Sequence, residues 1–269
     1  MSKKISLLTL IYTIFILLLF LSGSLTGVWS EVVYLTAFVL PCAIAILYSR
    51  KEGNGGENYL TIQKEKVKKT LPLVAPTVSV IICISFVTSV LIYLLTGRTN
   101  NVDVGDSLVS ALITHALLPA ILEEAIFRYI PMRLLAAHSR RGAVLVSAFF
   151  FSLAHHDLFS IPYAFIAGVI FMAIDIATDS VIPSVLIHFI NNALSVGMLV
   201  YDDNVAFAPT VYVILGILTL ISLVLIYKKR DEYREMVNTA LDKGEGVKLG
   251  FEMLLYAAMT LSVAVISLL

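Results

Sequence analysis

Two stretches of this 269-residue chain, residues 5–30 and 73–95, contain no charged side chain. About 18 consecutive apolar residues mark a candidate membrane-spanning helix, and both stretches are longer than that. The core of a bilayer offers no water to unpaired backbone groups, so a segment inside it must satisfy those groups internally. The two stretches therefore predict helices that cross a membrane.

The composition extends this expectation to the whole chain. Hydrophobic residues make up 59% and charged residues only 14%, and the mean hydropathy is +0.92. Ordinary soluble domains carry about 25% charged residues. The net charge is zero, so no acidic or basic excess points to a nucleic-acid partner. Cys42 and Cys83 lie in apolar runs without a CxxC motif, so we expect buried thiols and no disulfide framework.

The apolar pattern predicts an all-α, polytopic transmembrane helix bundle with about eight or nine spans. The first apolar run is longer than the core of a signal peptide and lacks an A-x-A cleavage site, so we interpret it as a retained span. The nine candidate spans are residues 5–25, 32–49, 73–95, 107–137, 143–158, 161–178, 181–200, 209–227 and 250–269.

The basic residues predict the orientation of the bundle. With a cytoplasmic amino terminus, 17 of the 19 Lys and Arg residues fall in segments that face the cytoplasm, which is the positive-inside pattern. The compact loops favour a prokaryotic plasma membrane. The cytoplasmic segments are then 1–4, 50–72, 133–142, 179–180 and 228–249.

Charged residues inside spans are costly, about 2.5–3.5 kcal/mol each on insertion scales, so those present call for an explanation. The fourth span contains Glu123, Glu124 and Arg128. Glu124 and Arg128 are spaced i, i+4 and can neutralise each other on one helix face. Glu123 is rotated by about 100° around the helix and is free to face another group.

The fifth and seventh spans add His155, His188 and Asn192 to this polar set. At about 1.5 Å per helical residue, Glu123, His155, His188 and Asn192 lie about 15, 18, 10 and 16 Å from the cytoplasmic ends of their spans. Because these depths differ by only a turn or two, we predict one cluster. A Glu in such a cluster can act as a general base on water. Nearby His and Asn side chains can stabilise a developing oxyanion, as peptide hydrolysis requires.

Three motifs carry a resemblance to a known family. They are EExxxR at residues 123–128, FxxxH at 151–155 and HxxxN at 188–192. In this order on successive helices, they resemble the CAAX-processing and bacteriocin-processing family of intramembrane glutamate endopeptidases. The resemblance covers roughly residues 107–200. Eight spans are commoner in that family than the nine counted here.

The resemblance implies a role for each motif residue. Glu123 would be the catalytic base and His155 its partner on the water, while His188 and Asn192 would stabilise the oxyanion. The family works without a cofactor or a metal ion. Its substrates imply a peptide or a membrane protein in the bilayer, prenylated or not, as the partner of this chain.

The same resemblance assigns Glu124 and Arg128 a supporting role. It implies a conical catalytic cavity that opens to the cytoplasm. It also divides the chain into amino-terminal helices (1–106), a protease core (107–200) and carboxyl-terminal helices (201–269). We expect Asp175, near the end of the sixth span, to be a surface or capping group rather than a catalyst.

Two other functions stay open at this point. The Glu and His residues are plausible zinc ligands by type, although HExxH is absent. Buried Glu and His residues also build proton relays, so a non-enzymatic transporter or an immunity-type binding protein is the second alternative.

Overall fold

A computed structural model of the protein describes residues 2–51, 59–97, 107–155, 160–201, 206–241 and 250–266. These residues form ten helices and no strand, when the continuous helical segment in the middle of the chain counts as one. The predicted all-α fold is thus confirmed. The helices are α1 (Ser2–Gly23), α2 (Val28–Lys51), α3 (Lys64–Thr96), α4 (Leu108–Ala136), α5 (Arg140–Leu153), α6 (Ser160–Thr178), α7 (Ile182–Val200), α8 (Phe207–Lys228), α9 (Arg230–Leu241) and α10 (Phe251–Ile266).

Within the described residues, seven of these helices are long and apolar enough to cross a membrane, namely α1 to α4 and α6 to α8. The predicted fifth span corresponds to α5, which has 14 residues. The ninth corresponds to α10, whose apolar part is Met253–Ser262. The ends of these two predicted spans, 156–158 and 267–269, lie outside the described residues. The architecture is that of a multi-pass integral membrane protein.

Local chemistry sets the start of the helices that carry the predicted site. The Ser107 hydroxyl accepts the Ser110 N–H at 3.4 Å ahead of α4. The Ser139 hydroxyl accepts the Gly142 N–H at 2.9 Å ahead of α5. Such caps satisfy N–H groups that have no partner within the helix. Pro183 stands in the first turn of α7, where its missing N–H costs nothing.

Helix α4 departs from regular α geometry in three stretches of π-helix, in which hydrogen bonds span five residues instead of four. The π-helical stretches are Leu112–Leu117, Ala125–Tyr129 and Met132–Ala136. Glu123 and Glu124 end the ordinary α-helical stretch before the second of them. The two acidic residues therefore lie directly before a π-helical stretch. Such stretches are often found at functional sites.

A tyrosine side chain satisfies a backbone carbonyl group in the turn before Pro131. Proline has no N–H, so a carbonyl in the preceding turn loses its helical donor. The Tyr12 hydroxyl of α1 donates to the Ile126 carbonyl at 3.0 Å. The Tyr12 ring also stacks on the Phe127 ring, with a centroid separation of 5.4 Å. Helix α1 is thus packed directly against α4, while the predicted division at residue 106 stays a prediction.

Helices α5 and α6 approach each other closely at one glycine. A Cβ atom on Gly168 would lie 2.9 Å from the Cα of Ala148, which is closer than real contacts allow. Small residues at such crossings let membrane helices pack backbone against backbone. This contact fixes α5, which ends two residues before His155, against α6.

Candidate active site

Glu124 and Arg128 form a buried ion pair on α4. Glu124 Oε2 lies 3.1 Å from Arg128 Nε, and both side chains are fully buried. This is the pairing that the i, i+4 spacing predicts. One of the two acidic residues of the motif is therefore engaged inside its own helix.

The Arg128 guanidinium is held in place from several sides. Its Nη1 donates to the Ser147 hydroxyl at 3.0 Å and to the Phe127 carbonyl at 3.2 Å. The Ser147 hydroxyl donates to the same carbonyl. The Phe151 ring lies 4.3 Å from the guanidinium carbon, within the range of a cation–π contact. These contacts leave Arg128 and Glu124 little freedom to move.

His188 of α7 lies between the two acidic side chains of α4. Its Nδ1 is 2.8 Å from Glu124 Oε1, and its Nε2 is 3.9 Å from Glu123 Oε2. An ionised carboxylate only accepts hydrogen bonds, so Nδ1 carries the proton of the shorter contact. The longer distance exceeds that of a hydrogen bond and leaves Nε2 available to a third group.

The two carboxylates thus have different surroundings. The Glu124 side chain is fully buried, whereas the Glu123 side chain is 30% exposed. Glu124 is ion-paired with Arg128 and hydrogen-bonded to His188, whereas Glu123 Oε2 lies 3.9 Å from His188 Nε2. Glu123 is the carboxylate that a water molecule and a substrate can reach.

His155 lies at the carboxyl end of α5 and is exposed. Its Nδ1 is 2.9 Å from the Phe151 carbonyl oxygen, an acceptor, so this nitrogen carries the proton and Nε2 is free. The Phe151 ring contacts the His155 ring at 4.8 Å and the His188 ring at 6.1 Å between centroids. The two imidazoles therefore flank one aromatic ring, and the Nδ1 of each is fixed by a protein acceptor.

Asn192 follows His188 by one turn of α7 and is half-buried. Its side chain makes no hydrogen bond to another residue in the described part of the chain. The structure thus brings together Glu123, Glu124, Arg128 and His188, places His155 one aromatic ring away, and leaves the Asn192 amide unengaged.

Asp175 is the residue whose surroundings the sequence predicted wrongly. It is fully buried rather than at the surface. The capping half of the prediction is confirmed, because its Oδ1 accepts the Ser184 N–H in the first turn of α7 at 3.3 Å. A carboxylate in an apolar helix is a sequence signal for a buried polar contact. Its partner on the next helix, the Ser184 N–H, could not be identified from residue spacing alone.

Within the described ranges, no group of three or more His, Cys, Asp or Glu side chains is arranged to hold a metal ion. The expectation of a conical cavity open to the cytoplasm stays a prediction.

The helix bundle and its carboxylate–imidazole cluster define a multi-pass membrane protein with a polar site on its candidate membrane-spanning helices. Residues 105–194 match the family model described as Type II CAAX prenyl endopeptidase Rce1-like. The resemblance predicted from the three motifs is confirmed over this segment, which contains all of them. The match supports a hydrolase of the intramembrane protease class. The chain matches no curated protein and no solved structure.

Proposed function

We propose that this protein is an intramembrane glutamate endopeptidase in which Glu123 activates the attacking water. The observation that carries the proposal is the contrast between the two adjacent carboxylates. Glu124 is fully buried, ion-paired with Arg128 and hydrogen-bonded to His188, whereas Glu123 is 30% exposed and faces an unoccupied imidazole nitrogen. A base must reach its proton donor, and Glu123 has the accessible carboxylate.

In the proposed reaction, Glu123 takes a proton from water as the water oxygen bonds to the scissile carbonyl carbon. The carbon–nitrogen bond then breaks, and the leaving amine receives that proton from Glu123 or through His155. The free Nε2 of His155 can accept and return a proton, because its Nδ1 is already committed to the Phe151 carbonyl. No covalent enzyme intermediate is required.

The oxyanion role of His188 sets a condition on its protonation. Nδ1 donates to Glu124, so Nε2 can donate to an oxyanion only when the ring is an imidazolium. The Glu124 carboxylate, 2.8 Å from Nδ1, supplies the compensating negative charge. Asn192, one turn further along α7, would add a neutral donor once a substrate is bound. Preorganised donors of this kind contribute strongly to acyl-transfer catalysis.

The substrate would be a peptide or a protein associated with the membrane, because the cluster lies on spanning helices. The proposal covers prenylated carboxyl-terminal segments and unmodified peptide precursors alike. The amino terminus of the enzyme would face the cytoplasm of a prokaryotic cell, in agreement with the segregation of its basic residues.

The first test compares new peptide termini in membranes of cells that make the wild type, Glu123→Gln or Glu31→Gln at matched levels. Glu31 lies in the first turn of α2 and is exposed, so Glu31→Gln controls for the loss of a carboxylate outside the cluster. We expect termini that vanish only in Glu123→Gln. Identical termini in all three samples would favour the transporter or the binding protein instead.

A further inference from the structure

The first turn of α7 begins inside the protein, where its N–H groups need partners. N–H groups at the start of a helix have none within the helix. The Val181 N–H donates to the Tyr59 carbonyl at 3.0 Å, and the Ile182 N–H donates to the Ser180 hydroxyl at 3.2 Å. Pro183 has no N–H to satisfy. One donor of this turn then remains.

That donor, the Ser184 N–H, is held by the side chain of a neighbouring helix. It donates to Asp175 Oδ1 at 3.3 Å. The Asp175 side chain is fully buried, and its Oδ2 accepts no hydrogen bond from the described residues. A buried carboxyl group in an apolar helix is costly, so its presence calls for a reason. Both the backbone N–H and the side chain of Ser184 lie beside this carboxyl group.

The Ser184 contact lies one helical turn from the site. Ser184 and His188 are spaced i, i+4 and share a face of α7. The Ser184 hydroxyl donates to the Val181 carbonyl at 2.9 Å, which ties the amide to the start of the helix. A displacement of this turn would therefore move His188 away from its 2.8 Å contact with Glu124.

We propose that Asp175 is a positioning residue for the endopeptidase reaction: its Oδ1 fixes the first turn of α7 and thereby holds His188 against Glu124. The inference rests on the proposed function. Asp175 acts through the Ser184 amide and contacts no reacting atom. The role requires only an acceptor at Oδ1, which the amide oxygen of asparagine also supplies.

The test uses the purified full-length protein in lipid nanodiscs and a peptide taken from the terminus comparison. Asp175→Ala removes the acceptor, whereas Asp175→Asn keeps it. Thr9→Val is the matched control, since Thr9 is a buried polar residue of α1 whose hydroxyl donates to the Ile5 carbonyl of its own helix. The readouts are kcat, KM and the hydrogen exchange of backbone amides in the segment that contains Ser184.

We expect Asp175→Ala to lower kcat about tenfold or more at unchanged KM, because small displacements of catalytic groups have effects of this size. The same variant should exchange the Ser184 amide faster. Asp175→Asn should stay within about threefold of the wild-type kcat, and Thr9→Val should match the wild type in both readouts. Asp175→Leu, which fills the space without an acceptor, replaces the alanine variant if that variant does not fold.

Wild-type kcat in Asp175→Ala would overturn the inference, and so would an equal loss in Asp175→Ala and Asp175→Asn. Failure of the proposed function gives a different result, since no cleavage would then depend on Glu123. Amide exchange at Ser184 needs no substrate and reads the effect of Asp175 on α7 in either case. Unchanged exchange in Asp175→Ala would refute the positioning role.

Discussion

Replacing Arg128 by methionine keeps most of the length of the side chain but removes its charge and its donors. The guanidinium lies 3.1 Å from Glu124 Oε2, 3.0 Å from the Ser147 hydroxyl and 3.2 Å from the Phe127 carbonyl. Removing one partner of a buried ion pair leaves the other as an uncompensated charge, which costs about 3–5 kcal/mol. We expect Arg128→Met to lower the free energy of unfolding by about that amount.

The double variant Glu124→Gln/Arg128→Met compares the loss of the whole ion pair with the loss of one member. Glutamine keeps an oxygen that can accept from His188 Nδ1, and the two changes together remove both charges of the Glu124–Arg128 pair. Replacing both members of a buried pair is often nearly neutral, so the double variant should be more stable than Arg128→Met. We expect a coupling energy of about 2 kcal/mol or more from the double-mutant cycle.

The assay is equilibrium unfolding in mixed micelles with a rising fraction of sodium dodecyl sulfate, followed by circular dichroism of the helices. The wild type, both single variants and the double variant are measured in the same lipid and detergent. If the two single losses add within about 0.5 kcal/mol, the sites are independent by the usual criterion. That result would refute the argument that Arg128 stabilises the protein through Glu124.

Three further predictions concern packing and chemistry. Gly168→Ala places a Cβ atom 2.9 Å from the backbone of Ala148, and such overpacking should cost about 1–3 kcal/mol in the same unfolding assay. Tyr12→Phe leaves the Ile126 carbonyl without its donor and should cost about 1–3 kcal/mol, whereas Tyr227→Phe, on an exposed ring, should stay within about 0.5 kcal/mol of the wild type. Proteolysis by the purified enzyme should persist in ethylenediaminetetraacetic acid; activity that is lost in the chelator and restored by zinc would instead establish the metalloprotease.

The sequence predicted two kinds of contact: contacts within one helix, and contacts between residues at a similar depth in the membrane. The Glu124–Arg128 pair follows from i, i+4 spacing on one helix, which needs no knowledge of other helices. For Glu123 and His188 the sequence predicted a similar depth in the membrane but no specific contact. Which nitrogen of His188 faces which carboxylate depends on the rotation of α7 relative to α4, and a one-dimensional pattern does not contain that rotation.

Other features lay beyond the sequence because they depend on packing. The π-helical stretches of α4 exist in a segment whose residue types are typical of an ordinary apolar helix. Asp175 was expected to be a surface or capping group, and its burial depends on the packing of the first turn of α7 against it. The roles of Glu123, His155, His188 and Asn192 stay predictions that the proposed experiments test.

The hydrogen bond between Tyr12 and Ile126 has a consequence for biosynthesis. The two residues are separated by 114 positions in the chain. At about 5–20 residues per second, the ribosome needs roughly 6–23 seconds to make the intervening chain. During that interval, α1 holds the Tyr12 phenol without its final acceptor. The carbonyl in the fourth helix is satisfied only after that helix has docked on the first. Synthesis of α4 and its packing are therefore separate events, and the packing depends on a helix that was made earlier.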